Sequence, residues 1–414
     1  MKLSELKEQT VAFVGSGGLD SCTIMRWLTD EGIKVICFSA DLGQPDEPDI
    51  KVIRHRMESC GASEVVVLPL QEELAKVGIY IIQAQANYEG RYWNTTGAAR
   101  YVLVKAVVAE MKRLGLDIFS HGATGRGNCQ VRFQILTKML APSFKVYAPW
   151  RDEVFLKRFG GRHEMLKFCR EKNLPINTVK EVSYSSDANL LGIAHAPSVI
   201  ESLETRTHYI DPVMGCYPFE APDEAEDFEV YFEKGFPVEI NGAQVSTLEA
   251  IVHTNIIAGK HGIGIGINLI ENRIVGIKSR EIYESPGMEL LGTCYRMILQ
   301  LVLDRSSYEL FEFLSNIISK QIYRGYWLDL TTQMAFRAIR RTAELVTGRI
   351  KVCLYKGNIE FVSAREISHS LYSADNSSLE KVGNYNHEDS EAMLRILEIS
   401  AYELAIKGQV SDPF

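Results

Sequence analysis

A short apolar strand runs through a nearly bare loop into a helix in the stretch Val11-Ala12-Phe13-Val14-Gly15-Ser16-Gly17-Gly18-Leu19-Asp20-Ser21. The glycines of the loop allow positive φ angles and a close approach of the backbone to a ligand. Its serines place hydroxyl groups beside the amides that open the helix, and such amides attract anions. The stretch therefore predicts a strand–loop–helix unit that binds a phosphate group.

The spacing of these residues distinguishes several kinds of phosphate loop. The chain has no Gly-x-x-x-x-Gly-Lys-Ser/Thr sequence, and no Gly-x-Gly-x-x-Gly follows the strand. Residues 16–21 instead read Ser-Gly-Gly-x-Asp-Ser, which resembles the pyrophosphate loop of the N-type ATP pyrophosphatases. Enzymes with that loop split ATP into AMP and pyrophosphate while they adenylate an oxygen of their substrate. A glycine-rich turn without a ligand is the alternative interpretation.

Length and composition indicate a soluble globular protein with more than one domain. The chain has 414 residues, of which 46% are hydrophobic and 24% charged, and this is too long for one ordinary core. We predict a first domain over residues 1–172, a second over 173–365 and a C-terminal arm and helix over 366–414. The eight cysteines form no Cys-x-x-Cys pair, which predicts buried thiols rather than disulfides or a metal site.

Charge and hydropathy argue against two classes of partner. The formal net charge of −8 argues against nucleic acid, whose binding usually requires clustered Lys and Arg. The first residues contain no apolar signal segment, and no run approaches the ~20 apolar residues that a membrane span needs. We therefore expect a cytoplasmic protein with no membrane partner.

The first part of the chain alternates strands with helices. Strands at 34–40 and 64–69 lie between helices at 21–31, 46–59 and 71–84, which predicts a doubly wound parallel sheet. Ligands of such sheets lie beyond the carboxyl ends of the strands. Two further loops, at 40–44 and at 121–132, follow strands and carry polar residues. We therefore expect a polar ligand across these loops. The segment 88–100 fits either a carboxylate site or a solvated helix cap with partly buried rings.

The second part has a different pattern, typical of an α+β domain. Strands are predicted at 228–232, 238–240, 273–278 and 348–362, and helices at 247–257 and 289–313. An amphipathic helix is predicted at 390–406. Its apolar residues exceed what an isolated helix can hide, so it requires a partner, either the body of the protein or another subunit.

Motifs in order along nearly the whole chain resemble argininosuccinate synthase. They lie at residues 16–21, 88–92, 120–133, 148–151, 258–262, 271–273 and 278–284. The resemblance implies an ATP-dependent ligase that adenylates the ureido oxygen of citrulline, releases pyrophosphate and lets the amine of aspartate displace AMP. It also implies Mg²⁺ with the ATP, a nucleotide-binding first domain, a synthetase second domain and a homotetramer held partly by the C-terminal helix.

The resemblance also implies roles for individual residues. ATP would contact the loop residues and two positions after later strands: Val14, Gly15, Ser16, Gly17, Gly18, Leu19, Asp20, Ser21, Ala40 and Gly122. Among these, Ser16 and Asp20 would be catalytic. Citrulline would contact Tyr92, Asn128, Arg132, Ser185, Glu271 and Tyr283, and aspartate would contact Thr96, Thr124, Asn128 and Cys129. No residue is implied as part of a protein metal cage, and His121 is interpreted as part of the loop scaffold rather than as a general base.

Four positions depart from the family pattern around the two amino-acid substrates. Cys129 stands where the family carries aspartate, Gly97 and Ala194 where it carries serine, and Ala196 where it has an acidic residue. A lost charge-assisted contact costs roughly 1.5–3 kcal/mol and a lost hydroxyl roughly 0.5–1.5 kcal/mol, so affinity for the standard substrates would fall on the order of a hundredfold. The alternative is therefore a divergent paralogue that joins a different amine to a ureido or carboxamide acceptor by the same adenylation chemistry.

Overall fold

The computed structural model describes residues 1–47, 49–176, 185–196, 199–380, 382–383 and 386–413. The chain divides into two compact units, Met1–His369 and Ser370–Phe414. The predicted domain boundaries at 172 and 365 stay predictions.

The first part of the larger unit is an α/β layer. Its elements are β1 (Thr10–Val14), α1 (Leu19–Asp30), β2 (Lys34–Asp41), α2 (Ile50–Ser59), β3 (Glu64–Pro69), α3 (Gln71–Gln83), α4 (Thr95–Leu114), β4 (Ile118–His121), α5 (Asn128–Leu140), β5 (Lys145–Tyr147), α6 (Glu153–Arg158) and α7 (Arg162–Glu171). The five strands form one sheet in the order β3-β2-β1-β4-β5, and every pair is parallel. This confirms the predicted doubly wound sheet.

Among its described residues, the second part of this unit contains two antiparallel sheets and four α-helices. Its elements are β6 (Ser185–Asn189), β7 (Gly192–Ala196), β8 (Glu226–Glu233), β9 (Phe236–Ile240), β10 (Ala243–Gln244), α8 (Thr247–Lys260), β11 (Ile267–Asn272), β12 (Lys278–Glu284), α9 (Pro286–Val302), α10 (Arg305–Arg324), α11 (Leu330–Ala343), β13 (Gly348–Tyr355) and β14 (Asn358–Arg365). One sheet has the order β11-β12-β7-β6 and the other β10-β9-β8-β13-β14. The predicted α+β character of this part is confirmed.

One large hydrophobic core connects the two parts. It contains Phe38 of β2, Val104 of α4, Leu291 of α9 and Phe228 of β8, all fully buried. Because helices α3 and α4 contribute to the same cluster as the antiparallel sheet, the sheets are held in fixed relative positions. That arrangement brings residues from distant parts of the sequence to one site.

Two predicted elements of the second part are wrong. Residues 273–277 form the turn between β11 and β12 rather than a strand, and Gly276 adopts a φ of +87° there. The predicted helix over 289–313 is two helices, because Leu303 is extended and Asp304 caps α10 by accepting a hydrogen bond from the Ser307 amide at 3.2 Å. An aspartate in that position is a typical helix start.

The smaller unit contains α12 (Ala374–Ser377) and α13 (His387–Ile406). Helix α13 confirms the predicted C-terminal helix. Its large apolar side chains are exposed, with relative exposures from 44% for Leu404 to 71% for Ile396. No helix in the described ranges is long and apolar enough to cross a membrane.

Candidate active site

The site lies where the carboxyl ends of the central strands meet. Strand β1 pairs in parallel with β2 on one side and with β4 on the other, so the loops after β1 and β4 diverge at this point of the sheet. Such a crevice is where open α/β sheets bind ligands. A cavity of about 730 Å³ opens there and extends to strands β6, β7, β11 and β12.

Most of the residues singled out from the sequence line this one cavity. They are Val14, Gly15, Ser16, Gly18, Asp20, Ser21, Ala40, Tyr92, Thr96, Gly122, Thr124, Asn128, Cys129, Arg132, Ser185, Glu271 and Tyr283. Gly17 and Leu19 do not line it. The structure therefore brings the candidate phosphate loop and the candidate amino-acid residues to a shared space, while the ligand each residue binds stays a prediction.

The loop after β1 is shaped by glycine and serine. Gly17 has a φ of +74°, and a Cβ on Gly15 would lie 2.9 Å from the Cys37 sulfur. The Ser16 amide donates to Ser21 Oγ at 3.1 Å. Helix α1 begins after Gly18 without a side-chain cap, so its first amides are available to an anion.

Asp20 lies in the first turn of α1 and faces Trp150. The indole N–H of Trp150 donates to Asp20 Oδ1 at 3.0 Å. Burial raises the pKa of Asp20, and the Trp150 hydrogen bond opposes this by favouring the carboxylate. The Trp150 donor, from the residues after β5, is the strongest of the groups that favour the ionised form of Asp20, and the charge of Arg162 acts in the same direction.

Helix α5 supplies the residues at the far end of the cavity. Asn128 is fully engaged, since its amide nitrogen donates to Glu271 Oε1 at 3.2 Å and to the Tyr323 hydroxyl at 2.7 Å, and its oxygen accepts from the Ile274 amide at 2.9 Å. Arg132 is 3% exposed, and its Nε donates to the Tyr323 carbonyl at 2.8 Å. Its outer nitrogens have no hydrogen-bond partner among the described residues, so its planar fork is available to a carboxylate or another oxygen pair.

Two carboxylates converge on one hydroxyl in the same region. The Tyr283 hydroxyl lies 2.8 Å from Glu271 Oε2 and 3.0 Å from Glu281 Oε2. The ring of Tyr283 stacks on Tyr92 at 4.1 Å between centroids. Burial, followed by the charge of Glu271, raises the pKa of Glu281 to about 7.

The candidate amine side of the cavity contains a charged pair next to a thiol. Arg100 forms a salt bridge with Asp187, and the Cys129 thiol lies 3.9 Å from Asp187 Oδ2. Thr96 donates its amide to the Tyr92 hydroxyl at 2.8 Å. Thr124 lies in the loop after β4, and its carbonyl accepts from the Gly127 amide at 3.3 Å.

His121 ends β4 and is fully buried. Its Nδ1 accepts a hydrogen bond from the Ala123 amide at 3.2 Å, and its ring stacks on Phe133. Burial lowers the pKa of His121 to about 3. A neutral ring that holds the following loop is consistent with the predicted scaffold role.

The positions that depart from the family pattern have distinct surroundings. A Cβ on Gly97 would lie 3.0 Å from Ile322 Cγ2 and 3.2 Å from the Ile322 carbonyl, so helix α10 occupies the space that a serine there needs. Ala194 and Ala196 line the cavity from β7. Ser185 also lines it, and its hydroxyl donates to the Ala196 carbonyl at 3.0 Å.

Sequence reasoning missed several polar side chains of the cavity: Arg56, Asp187, Arg273 and Glu281. Arg100 also lines the cavity, and it ends the segment 88–100 for which a carboxylate site was one of two predicted alternatives. Glu281 had a usable signal, because it stands two residues before Tyr283 and side chains at that spacing share one face of a strand. Asp187 had no local signal, since its contact with Arg100 joins residues 87 positions apart.

Two family models match the chain. One is described as the arginosuccinate synthase N-terminal HUP domain and matches residues 10–175, and the other as the arginosuccinate synthase C-terminal domain and matches residues 184–404. A solved tyrosyl-tRNA synthetase from Leishmania major is too dissimilar to bear on the fold, with a TM-score of 0.21, 11% identity, and 82% and 48% of the two chains covered.

Whole-length relatives point to the same family. Argininosuccinate synthase from Rhodopirellula baltica is 36% identical over 398 residues, covering 96% of this chain and 97% of the relative. The enzyme from Thermotoga sp. is 35% identical over 412 residues, with 97% and 99% covered. The chloroplastic enzyme from Arabidopsis thaliana is 35% identical over 394 residues, with 95% and 78% covered. The chain therefore belongs to the argininosuccinate synthase family and is an ATP-dependent ligase.

Proposed function

We propose that this ligase condenses citrulline with aspartate and forms argininosuccinate, AMP and pyrophosphate from ATP. The observation that carries the proposal is the single cavity of about 730 Å³ that joins the uncapped start of α1 to the Arg132 fork and the buried Glu271. A triphosphate and an amino acid would both find complementary groups within it. The reactants would then meet without a covalent enzyme intermediate.

In the first step the ureido oxygen of citrulline attacks the α-phosphorus of ATP, and pyrophosphate leaves. The amides at the start of α1 and the hydroxyls of Ser16 and Ser21 would bind phosphate oxygens and hold the leaving group. Arg132 would take the carboxylate of citrulline by its two outer nitrogens. Orientation of the reactants in this way is worth far more than any single acid–base contact.

In the second step the amine of aspartate attacks the ureido carbon, which has become electrophilic because its oxygen now leaves with AMP. The N–C bond forms, the C–O bond to AMP breaks and one amine proton is released. The residues around this position would be Thr96, Thr124 and Cys129. The Arg100–Asp187 salt bridge lies beside Cys129. Its two charged side chains would set the electrostatic environment of the amine.

Mg²⁺ with the ATP fits the donors present. No cluster of three acidic, histidine or cysteine side chains is found among the described residues, so the phosphates would supply most of the ligands, with Asp20 the carboxylate nearest in sequence to the loop. Mg²⁺ commonly binds through one or two carboxylates and phosphate oxygens. When bound, it would neutralise the charge of the leaving pyrophosphate.

The test is pyrophosphate release from ATP and Mg²⁺ with citrulline and aspartate together and with each omitted in turn. Release that requires both substrates, with argininosuccinate identified by mass, supports the proposal. ATP binding without release from this pair contradicts it. Pyrophosphate release could instead require citrulline but accept another amine in place of aspartate. The part of the site around Cys129, which departs from the family pattern, would then bind a different second substrate.

We also propose a homotetramer in which α13 contributes to the contacts between subunits. The exposed apolar side chains of this helix support the proposal, because a surface of this kind is unfavourable in water unless another surface covers it. The family resemblance points in the same direction.

A further inference from the structure

Glu271 is a buried carboxylate that forms no salt bridge among the described residues, although the charge of Arg132 acts on it from a distance. It is 1% exposed, and its hydrogen-bond partners in the described part of the chain are the neutral groups of Asn128 and Tyr283. Buried carboxylates are normally paired with a positive charge or a metal. Because Glu271 lines the cavity, a cationic group of a ligand is the partner that this position can receive.

The neighbouring Glu281 doubles the negative charge at this point. It stands on the same face of β12 as Tyr283, and both carboxylates lie within hydrogen-bond distance of the one Tyr283 hydroxyl. A hydroxyl has a single proton and donates to one acceptor at a time. The two carboxylates and the tyrosine therefore lack a proton, which either Glu281 itself or a donor from the ligand must supply.

The other charged groups around Glu281 do not meet this need. Arg273, from the turn after β11, forms a salt bridge with Glu281 Oε1 through its Nη2 at 3.5 Å, which leaves Glu281 Oε2 with the shared Tyr283 hydroxyl. Arg132 of α5 contributes a more distant positive charge. Its outer nitrogens are unpartnered among the described residues and line the same cavity, so they are left for an anionic group.

We propose that Glu281 is a specificity-determining residue that adds a second carboxylate for the ammonium group of the acceptor amino acid, beside the contacts of Glu271 and Arg132 that the family resemblance already implies. This inference rests on the proposed function, since it names the residues that bind the ammonium and carboxylate groups of the acceptor at that site. An ammonium has three N–H donors and satisfies the oxygens that the Tyr283 hydroxyl leaves unpaired.

The proposal predicts a specific pH dependence of acceptor binding. With a pKa of about 7, Glu281 is neutral below pH 7 and charged above it, whereas the ammonium of a free amino acid remains protonated from pH 6 to pH 8. If the charged form alone binds the ammonium, affinity rises about tenfold between these two pH values. The groups that face Glu281 are Glu271, Arg273, Arg132 and Tyr283, and none of the last three ordinarily titrates in this range.

The experiment is calorimetric titration at pH 6 and pH 8 with two probes, citrulline and 5-ureidopentanoate, which lacks only the ammonium. Each is titrated with and without α,β-methylene-ATP, which cannot release pyrophosphate. We expect citrulline affinity to rise about tenfold with pH and 5-ureidopentanoate to show no such rise. Equal pH dependence for the two probes, or no citrulline binding under any of these conditions, overturns the proposal.

Variants give a second measurement on the same site. Glu281→Gln should remove the pH dependence for citrulline and narrow its advantage over 5-ureidopentanoate. The matched control is Glu73→Gln, which removes an equal charge from an exposed salt bridge with Lys105 and should keep both properties. A Glu281→Gln protein that retains the wild-type pH dependence refutes the role. If the variant does not fold, the two-probe comparison on the unmodified chain decides.

The outcomes separate this inference from the proposed reaction. Citrulline binding with the expected pH dependence but without pyrophosphate release contradicts the reaction and supports the role of Glu281. Turnover of citrulline and aspartate without that pH dependence supports the reaction and contradicts the role of Glu281.

Discussion

The Trp150 hydrogen bond favours the ionised form of Asp20, so replacing Trp150 with phenylalanine should change the pH range in which the enzyme works. The substitution removes the N–H that donates to Asp20 Oδ1 at 3.0 Å. It keeps an aromatic ring against Phe155, which Trp150 meets edge to face at 5.2 Å. The perturbation is therefore confined mainly to one hydrogen bond.

The stabilisation that the ionised Asp20 loses in the variant follows from the strength of a hydrogen bond to a charged group, about 1.5–3 kcal/mol. Loss of the Trp150 donor removes about that much stabilisation from the ionised carboxylate and therefore raises the pKa of Asp20 further. Burial already raises that pKa, and the Trp150 hydrogen bond lowers it, so the two effects no longer oppose each other in the variant. If phosphate binding requires the ionised carboxylate of Asp20, the variant should lose activity on acidification at a higher pH than the unmodified enzyme does.

The assay is kcat/KM for ATP, from pyrophosphate release, across about pH 5.5–8.5. We expect the acidic limb of Trp150→Phe to move up by about one to two pH units, with activity recovered at the alkaline end. The matched control is Trp327→Phe, which removes an indole donor from the neutral Gly97 carbonyl at 3.2 Å and should leave the limb in place. A folded Trp150→Phe protein with an unchanged acidic limb would refute the reasoning.

Three further predictions concern the loop, the interior and the C-terminal helix. Gly15→Ala should raise KM for ATP at least about tenfold and destabilise the fold by about 1–3 kcal/mol, because its Cβ would lie 2.9 Å from the Cys37 sulfur. The control Gly160→Ala, with its nearest atoms at 3.9 Å, should do neither. Steady-state kinetics and urea unfolding measure the two effects, and equal behaviour of the two variants contradicts the clash. Glu284→Ala should cost about 3–5 kcal/mol in urea unfolding, since this 1% exposed carboxylate accepts from the Met214 amide at 2.7 Å and bonds His195 at 2.6 Å. The surface variant Glu344→Ala should cost less than about 1 kcal/mol, and comparable losses would show that burial does not set the difference. Removal of the residues after Asp389 should lower the oligomer mass measured by light scattering, and an unchanged mass counts against a role of α13 in assembly.

Local sequence patterns were sufficient for much of the first part of the chain. The strand–loop–helix at residues 11–21 and the strand Glu64–Pro69 lie where the pattern predicted them, because apolar runs, glycines and helix starts act over a few neighbouring residues. The same local signals predicted the C-terminal helix. The break between α9 and α10 also had a local signal in the cap at Asp304, which the prediction of one long helix overlooked.

Motif resemblance identified the family and a set of candidate site residues, most of which line the cavity, since those residues carry their identity in the sequence itself. The tertiary structure alone determined which of them touch. Asp187 contacts Arg100, the Tyr283 hydroxyl contacts both Glu271 and Glu281, and helix α10 fills the space beside Gly97. These contacts join residues that are distant in sequence or depend on strand register, and the free energy that selects them comes from packing the shared core between the sheets. The sequence by itself therefore determined the kind of chemistry, while the fold decided which charges an acceptor would meet.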